Sequence, residues 1–191
     1  MTMQLPGTTH SAKPTLAVFA SQQGPGDAER SSIMSQAGTY FARKGARIVC
    51  LIDALTIPVP LITSARAAGG EVVIIADERA PLLPALQGVA VERIAEVGER
   101  LTRVSTLADG FIGLPGSLAS ASSLYSAWVK GGGGQGGKPV VLYNRNHAFE
   151  VLRGYVADVV SHSRRGHEQV VQFADSIEDS WNRIARMLNL H

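Results

Sequence analysis

Short apolar runs alternate along the chain with longer segments in which apolar residues recur at helical spacing. Near-continuous apolar runs are typical of strands buried on both faces of a parallel sheet. Residues 89–94 could form a further strand, but prolines and glycines interrupt the segment around them. The other predicted strands are residues 15–20, 46–52, 71–76, 111–114, 139–143 and 169–173.

The segments between these strands predict helices. Helices are expected over residues 27–44, 95–108 and 148–161, together with a short helix that ends at Gly69-Gly70 and one that runs to Lys130. The last helix begins at Ser176, a typical N-cap residue with Asp179 three residues on. Its apolar stripe is predicted to pack in the core or in a dimer seam; the stripe consists of Ile177, Trp181, Ile184 and Leu188. Strands that alternate with helices predict an α/β fold, a doubly wound parallel sheet covered on both faces.

Composition favours one domain. The chain has 191 residues, of which 45% are hydrophobic, so one core and a flexible tail over residues 1–14 are expected. A net charge of +2 gives no argument for a nucleic-acid partner. Cys50 is the single cysteine, which fits a reducing cytoplasm. Without a long apolar run or a signal peptide, we expect a cytoplasmic protein that does not span a membrane.

The most informative segment for function is the junction between the strand at 111–114 and the helix that follows it. The strand runs into Pro115-Gly116 and then into a serine-rich helix start. Backbone N–H groups and the positive end of a helix meet at such a junction, which suits a phosphate group. The default role of Ser117 or Ser120 is N-capping, and the junction contains no carboxylate.

Other candidate motifs are incomplete. Gly24-Pro-Gly26 follows the first strand and Asp53 follows the second, but a dinucleotide fingerprint would need another glycine. Ser117 lacks the glycine pattern of a nucleophile elbow. Gly131–Gly137 is interpreted as a flexible loop, since no Gly-Lys-Ser/Thr follows it. The histidines, His10, His147, His162, His167 and His191, show no pair at metal-ligand spacing, so no metal site and no cofactor are predicted.

Arg100 precedes the Pro-Gly turn on a predicted helix. It could reach across the end of the sheet to an anionic ligand, or it could pair with Glu96 or Glu99 on the surface. Spacing alone favours the surface pair.

Four segments together resemble the Lonely guy (LOG) family, often labelled "lysine decarboxylase-like", whose characterised members are cytokinin nucleoside 5'-monophosphate phosphoribohydrolases. The resemblance covers roughly residues 15–190. It implies a Rossmann-like sheet, a homodimer, and a nucleotide site at the strand ends near the dimer interface. The segments are Leu16-Ala-Val-Phe-Ala-Ser21, Ala67-Ala-Gly-Gly-Glu-Val72, Leu107-Ala-Asp-Gly-Phe-Ile-Gly-Leu-Pro-Gly116 and Lys138-Pro-Val-Val-Leu-Tyr-Asn144.

The functional motifs of that family are altered in this chain. The signature Pro-Gly-Gly-x-Gly-Thr-x-x-Glu falls on residues 115–123, where Ser120 keeps a hydroxyl and Ser123 replaces the catalytic glutamate. Ser117 and Ala119 replace two glycines, and Leu51-Ile52-Asp53 replaces a second glycine loop. The family's catalytic arginine aligns with Arg100, beside Leu101 in place of a lysine. The resemblance implies ligand-binding roles for Ser21, Gly116, Ser117, Ser120 and Ser123.

The missing glutamate matters because a carboxylate stabilises the oxocarbenium-like centre formed when an N-glycosidic bond breaks. Serine is uncharged and a poor base. The sequence therefore leaves three hypotheses open. The first is a divergent LOG-like binder of a nucleotide or another phosphorylated small molecule, without hydrolysis. The second is an active phosphoribohydrolase in which Asp53 replaces the glutamate and acts with Arg100. The third is a non-catalytic dimeric scaffold.

Overall fold

A computed structural model describes residues 13–21, 27–53, 56–81, 83–131, 137–154 and 171–190. Seven strands lie in one sheet within these ranges. The segment at 89–94, ambiguous in the sequence, contains one of them. The strands are β1 (Thr15–Phe19), β2 (Arg47–Ile52), β3 (Val72–Ala76), β4 (Ala90–Arg93), β5 (Gly110–Gly113), β6 (Val140–Tyr143) and β7 (Val171–Ala174).

The described α-helices lie where the periodicity predicts them, while a 3-10 helix at Pro84–Leu86 stands between β3 and β4. The α-helices are α1 (Asp27–Arg43), α2 (Val59–Ala67), α3 (Val97–Leu107), α4 (Leu118–Lys130), α5 (150–154) and α6 (Ile177–Met187). The structure describes only part of the helix predicted over 148–161, since residues 155–170 lie outside the described ranges. Outside them too are Gly24-Pro-Gly26, residues 132–136, the predicted tail through residue 12, and His10, His162, His167 and His191.

The sheet is parallel throughout, with the strand order β4-β3-β2-β1-β5-β6-β7. The chain first builds outward from β1 to β4 and then returns to the other side of β1. This order is that of a doubly wound Rossmann-like α/β domain, as predicted. The direction of winding reverses between β1 and β5, and ligands of such sheets bind at that switch point, beyond the carboxyl ends of the strands.

Alternate residues of each strand face opposite sides of the sheet, and both sides are packed. Leu16 and Val18 of β1 face a cluster built with α1, α2 and α6. Ala17 and Phe19 face a second cluster built with α3 and α4. The near-continuous apolar strands follow from this double burial.

The last helix is capped as predicted. The Ser176 hydroxyl accepts a hydrogen bond from the N–H of Asp179 at 2.9 Å. The Asp179 carboxylate accepts one from the N–H of Asp175, one residue before the cap. Trp181 and Ile184 are buried against α1 and β6, so the apolar stripe belongs to the core.

Gly38 allows α1 and α2 to pack closely. A Cβ at this position would overlap the carbonyl oxygen of Leu61 and the hydroxyl of Ser64.

We expect Gly38→Ala to lower the free energy of unfolding by about 1–3 kcal/mol, because the two helices must separate. Gly98 is the matched control: it is also helical, but a Cβ there meets no atom within 4 Å. Gly98→Ala should raise stability by about 0.4–1 kcal/mol. Urea unfolding of both variants tests this difference, and equal effects would contradict it.

Candidate functional site

A small cavity lies at the switch point, between the carboxyl ends of β1 and β2 and the first turns of α4. Its volume is about 10 Å³, which is room for roughly one water molecule. Four of its residues are polar: two of them follow β2 and two stand on α4. The lining residues are Val18, Phe19, Ala20, Leu51, Asp53, Thr56, Ser120 and Ser123.

The first turn of α4 is closed by a reciprocal capping box. The Ser117 hydroxyl accepts a hydrogen bond from the N–H of Ser120 at 3.2 Å, and the Ser120 hydroxyl accepts one from the N–H of Ser117 at 3.1 Å. The N-capping role of Ser117 is therefore confirmed. The box uses two of the N–H groups on which a phosphate site at this helix start would depend. Leu118 and Ala119 supply the N–H groups of the first turn that the box does not use.

Gly116 allows the segment after β1 to approach this turn closely. A Cβ at Gly116 would lie 2.5 Å from the Ser120 hydroxyl oxygen and 3.2 Å from the backbone nitrogen of Ser21. Ser21, Gly116 and Ser120 are thus close together, while their ligand-binding roles stay a prediction. Ser21 and Ser120 are buried, with 1% and 5% of their surface exposed, so access to both is narrow.

Asp53 and Ser123 line the same cavity. Asp53 follows β2 directly, and its N–H donates to the carbonyl oxygen of Thr56. Ser123 stands on α4, at the position for which the resemblance implies a glutamate in related proteins. The cavity is thus bordered by a carboxylate that follows β2 and by a hydroxyl from α4.

Arg100 is buried, which contradicts the surface pair favoured by its spacing; its contact with an anionic ligand stays a prediction. Arg100 is only 6% exposed, so the predicted ion pair with Glu96 or Glu99 on the surface is wrong. The side chain folds back over the segment that precedes α3, where its Nη1 donates to the carbonyl oxygens of Ile94 at 2.7 Å and Ala95 at 2.5 Å. Nη1 also lies 2.8 Å from the Asp77 Oδ2 atom. Arg100 is not among the residues that line the cavity.

The bonding of Arg100 is uneven. Three acceptors surround Nη1, which carries two hydrogens. The Nε atom is buried and has no hydrogen-bond partner among the described residues. An unsatisfied buried donor costs about 1–3 kcal/mol. Arg100 therefore keeps one unused donor in the interior.

Asp77 is the functional candidate that the sequence interpretation missed. It follows β3 as Asp53 follows β2, and its N–H donates to the carbonyl oxygen of Ile52 at 3.0 Å. Its Oδ1 accepts from the N–H of Arg79 at 2.8 Å. Because β2 and β3 pair in register, Asp53 and Asp77 begin the loops of neighbouring strands, about 5 Å apart. The sequence feature that could have identified Asp77 is an acidic residue directly after a buried strand.

The loop after β6 also lies at this edge and holds a strained conformation. Asn146 and His147 both have positive φ angles, 52° and 57°, which residues other than glycine rarely adopt. Buried Asn144 fixes the loop, since its amide oxygen accepts from the N–H of Phe149 and its amide nitrogen donates to Glu150. Strain of this kind concentrates near functional sites.

Comparison with known proteins shows the fold. No family model and no curated protein matches the sequence. The molybdenum cofactor carrier protein of Chlamydomonas reinhardtii matches with a TM-score of 0.69 and 15% identity, over 93% of this chain and 99% of that one. The molybdenum cofactor binding protein of Rippkaea orientalis, a phototrophic bacterium, matches with a TM-score of 0.67 and 17% identity, over 93% and 99%. TM1055, a structural-genomics target, has a TM-score of 0.67 and 20% identity, over 91% and 99%.

The chain shares the fold of these proteins. At such low identities the likeness establishes architecture alone, so membership of the LOG family stays a prediction. In the described ranges, no three His, Cys, Asp or Glu side chains form a group that could hold a metal ion. No helix in those ranges is long and apolar enough to cross a membrane.

The Asp77 contacts predict a pH dependence of stability. The backbone N–H of Arg79 and the charge of Arg100 lower the pKa of Asp77 below its ordinary value of 3.8. A carboxylate with a lowered folded-state pKa stabilises the fold above the unfolded value, and this contribution is lost as pH falls through the folded pKa. We expect wild type to be more stable than Asp77→Asn at neutral pH, with the difference shrinking below about pH 3.8.

Urea unfolding of both proteins from neutral to acid pH measures this difference. Glu78→Gln is the control, since it removes an exposed carboxylate directly next to Asp77 in the sequence. A stability difference for Asp77→Asn that stays constant across the acid range would contradict the assignment.

Proposed function

We propose that the protein binds a phosphorylated small molecule at the switch point and does not hydrolyse it. The observation that carries this proposal is that the Ser123 hydroxyl and the Asp53 carboxylate line one cavity beside the first turn of α4. The Ser120 hydroxyl also borders this cavity, while it donates to the Ser117 carbonyl oxygen. A helix N-terminus at a switch point favours a phosphate. Serine at position 123 supplies no charge with which to stabilise an oxocarbenium-like centre.

The ligand class is a nucleotide or a related sugar phosphate. An acidic residue after the second strand of a Rossmann-like sheet is suited to accept hydrogen bonds from ribose hydroxyls, and Asp53 has this place. Two of the similar structures are named as a carrier and a binding protein for the molybdenum cofactor. These names support small-molecule binding on this fold, without favouring a nucleotide over other ligands.

The small volume of the cavity limits how a ligand enters. About 10 Å³ does not admit a sugar phosphate, so binding must widen the space between β2 and α4. We therefore expect the phosphate to bind at the exposed start of α4, where the Leu118 side chain is 89% exposed. The sugar would then extend towards Asp53.

The first test is ligand-dependent thermal unfolding. A ligand that binds only the folded state at 100 times its Kd adds about 2.7 kcal/mol of stability. For a chain of this size, that raises Tm by roughly 5–10 °C. AMP and ribose 5-phosphate should produce such a shift, and adenosine, the control without phosphate, should produce a smaller one. Failure of every nucleotide and sugar phosphate to raise Tm would favour the scaffold hypothesis.

An active phosphoribohydrolase is the second candidate, favoured by one observation. Asp53 and Ser123 border one cavity, so the Asp53 carboxylate could stabilise the cationic centre in place of the missing glutamate. Arg100 would then have to reach the ligand from its present place beside Asp77. The reaction would release a free base from a nucleoside 5'-monophosphate.

Chromatographic detection of adenine released from AMP tests this candidate. If Asp53 acts as the carboxylate, Asp53→Asn should reduce turnover by about two to four orders of magnitude. Glu99→Gln, which removes an exposed carboxylate on α3, should leave turnover unchanged. No adenine from the wild-type protein, or equal turnover in Asp53→Asn, would reject the candidate.

The homodimer that the resemblance implies stays a prediction. We place its contact on α4, where three exposed apolar side chains follow one another at helical spacing: Leu118, Tyr125 and Val129. Leu118 also begins the helix that would bind the phosphate. A dimer formed through this face would adjoin the ligand site. The hypothesis of a non-catalytic scaffold would use the same dimer contact.

A further inference from the structure

We infer that the protein has a second anion site, at the edge of the sheet opposite the switch point. Arg47 and Arg66 line a cavity of about 290 Å³ there, and this cavity would take a small molecule that carries a phosphate monoester. The site is separate from the one in the proposed function, and neither site depends on the other.

The cavity lies at the amino ends of three neighbouring strands. It is lined by Arg47, Val72 and Ala90, which are the first residues of β2, β3 and β4. Because these strands pair in parallel, their first residues share one edge of the sheet, and Asp53 and Asp77 follow the strands at the other edge. The cavity volume of about 290 Å³ is close to the lower limit of about 300 Å³ for small-molecule sites.

A buried donor of Arg47 lacks an acceptor. The Nε atom is buried and has no hydrogen-bond partner among the described residues. Its ion pair with Glu71 is long, since 4.0 Å separates Nε from the Glu71 Oε2 atom. The Arg47 side chain is 39% exposed, so its guanidinium has room to turn towards an anion in the cavity. Such an anion would supply the acceptor that Nε lacks.

Two carboxylates near Arg47 are paired with other cations. Glu71 lies closer to Lys13, at 3.6 Å, and its side chain is 62% exposed. Glu92 lies within range of the Arg47 charge, but its two oxygens accept from Arg103 at 2.6 Å and 2.9 Å. These two carboxylates therefore leave the Arg47 Nε atom without a hydrogen bond.

Arg66 is held at the wall of the same cavity. Its Nη1 atom donates to the carbonyl oxygen of Gln87 at 2.8 Å. Its Nη2 atom lies 3.3 Å from the place that a Cβ of Gly88 would take, and Gly88 also lines the cavity. A guanidinium that is already positioned loses less conformational freedom when it binds a ligand. Arg66 thus provides a second donor group that is partly ordered before binding.

The charges around the cavity match those of a phosphate monoester. Three cations, Lys13, Arg47 and Arg66, stand against the single carboxylate of Glu71, which leaves an excess of two positive charges in this group. A phosphate monoester carries about −1.5 to −2 charges at pH 7. Its oxygens can also accept from two guanidinium nitrogens at once. A group with one negative charge would leave part of the positive charge uncompensated.

Titration of the protein with inorganic phosphate, followed by backbone amide NMR, tests the site directly. The amide signals of Val72, Gly88 and Val89, here called the cavity signals, should shift. The signals of Leu118 and Ala119 report binding at the switch point separately. Sodium chloride at matched ionic strength controls for screening. Acetate, which carries one negative charge, should bind more weakly than phosphate.

Two substitutions connect the cavity signals to the arginines. Arg47→Met and Arg66→Met remove the guanidinium and keep an aliphatic stem. Each should raise the Kd for phosphate, read from the cavity signals, by about tenfold or more. Arg186→Gln is the matched control, because it removes an exposed arginine of α6 that does not line the cavity. It should change this Kd by less than about twofold.

The inference is overturned if phosphate leaves the cavity signals unshifted, if either Met variant binds phosphate as wild type does, or if acetate binds equally well. If only Leu118 and Ala119 shift, this inference fails and the proposed function is supported. If only the cavity signals shift, the inference stands and the proposed function is not supported. Should Arg47→Met not fold, Arg66→Met decides alone, because Arg66 is exposed.

Discussion

Parallel pairing of the strands is the constraint on which the site depends. Since the described strands all run in one direction, the residue after each strand emerges at one edge of the sheet. Ser21, Asp53, Asp77 and Pro115 are far apart in sequence, yet each follows a strand that ends there. The order of the strands then places β1 and β5 side by side. Because Gly116 has no side chain, the segments that follow these two strands pack closely together.

The sequence predicted the architecture well because the strands are buried on both faces. Double burial leaves a continuous apolar run that no surface requirement interrupts, as in β3, where all five residues are buried. Edge strand β4 has a weaker signal, because its residues are exposed or half-buried. This difference in burial explains why only the segment at 89–94 was ambiguous among the strands.

The site was less predictable because its interactions join residues that are distant in sequence. The capping role of Ser117 is local, with its partner three residues away, and was foreseen. Arg100 was assigned to nearby Glu96 or Glu99, but its carboxylate partner, Asp77, lies 23 positions earlier in the chain. That pairing exists only because the fold brings the first turns of α3 next to the residue that follows β3. The buried Nε atom likewise has no signature in the sequence.

Charge is distributed unevenly along the edge of the sheet at which the strands end. This asymmetry would orient a ligand that carries a phosphate at one end and hydroxyls at the other. Hydroxyls and helix N–H groups lie on the β5 side, and carboxylates follow β2 and β3. A phosphate next to Asp53 would meet repulsion, whereas at α4 it meets donors. A sugar has the opposite preference, since its hydroxyls can donate to Asp53. Serine at position 123 adds no negative charge to the cavity beside α4, so the Asp53 carboxylate is the charged group among the residues that line it.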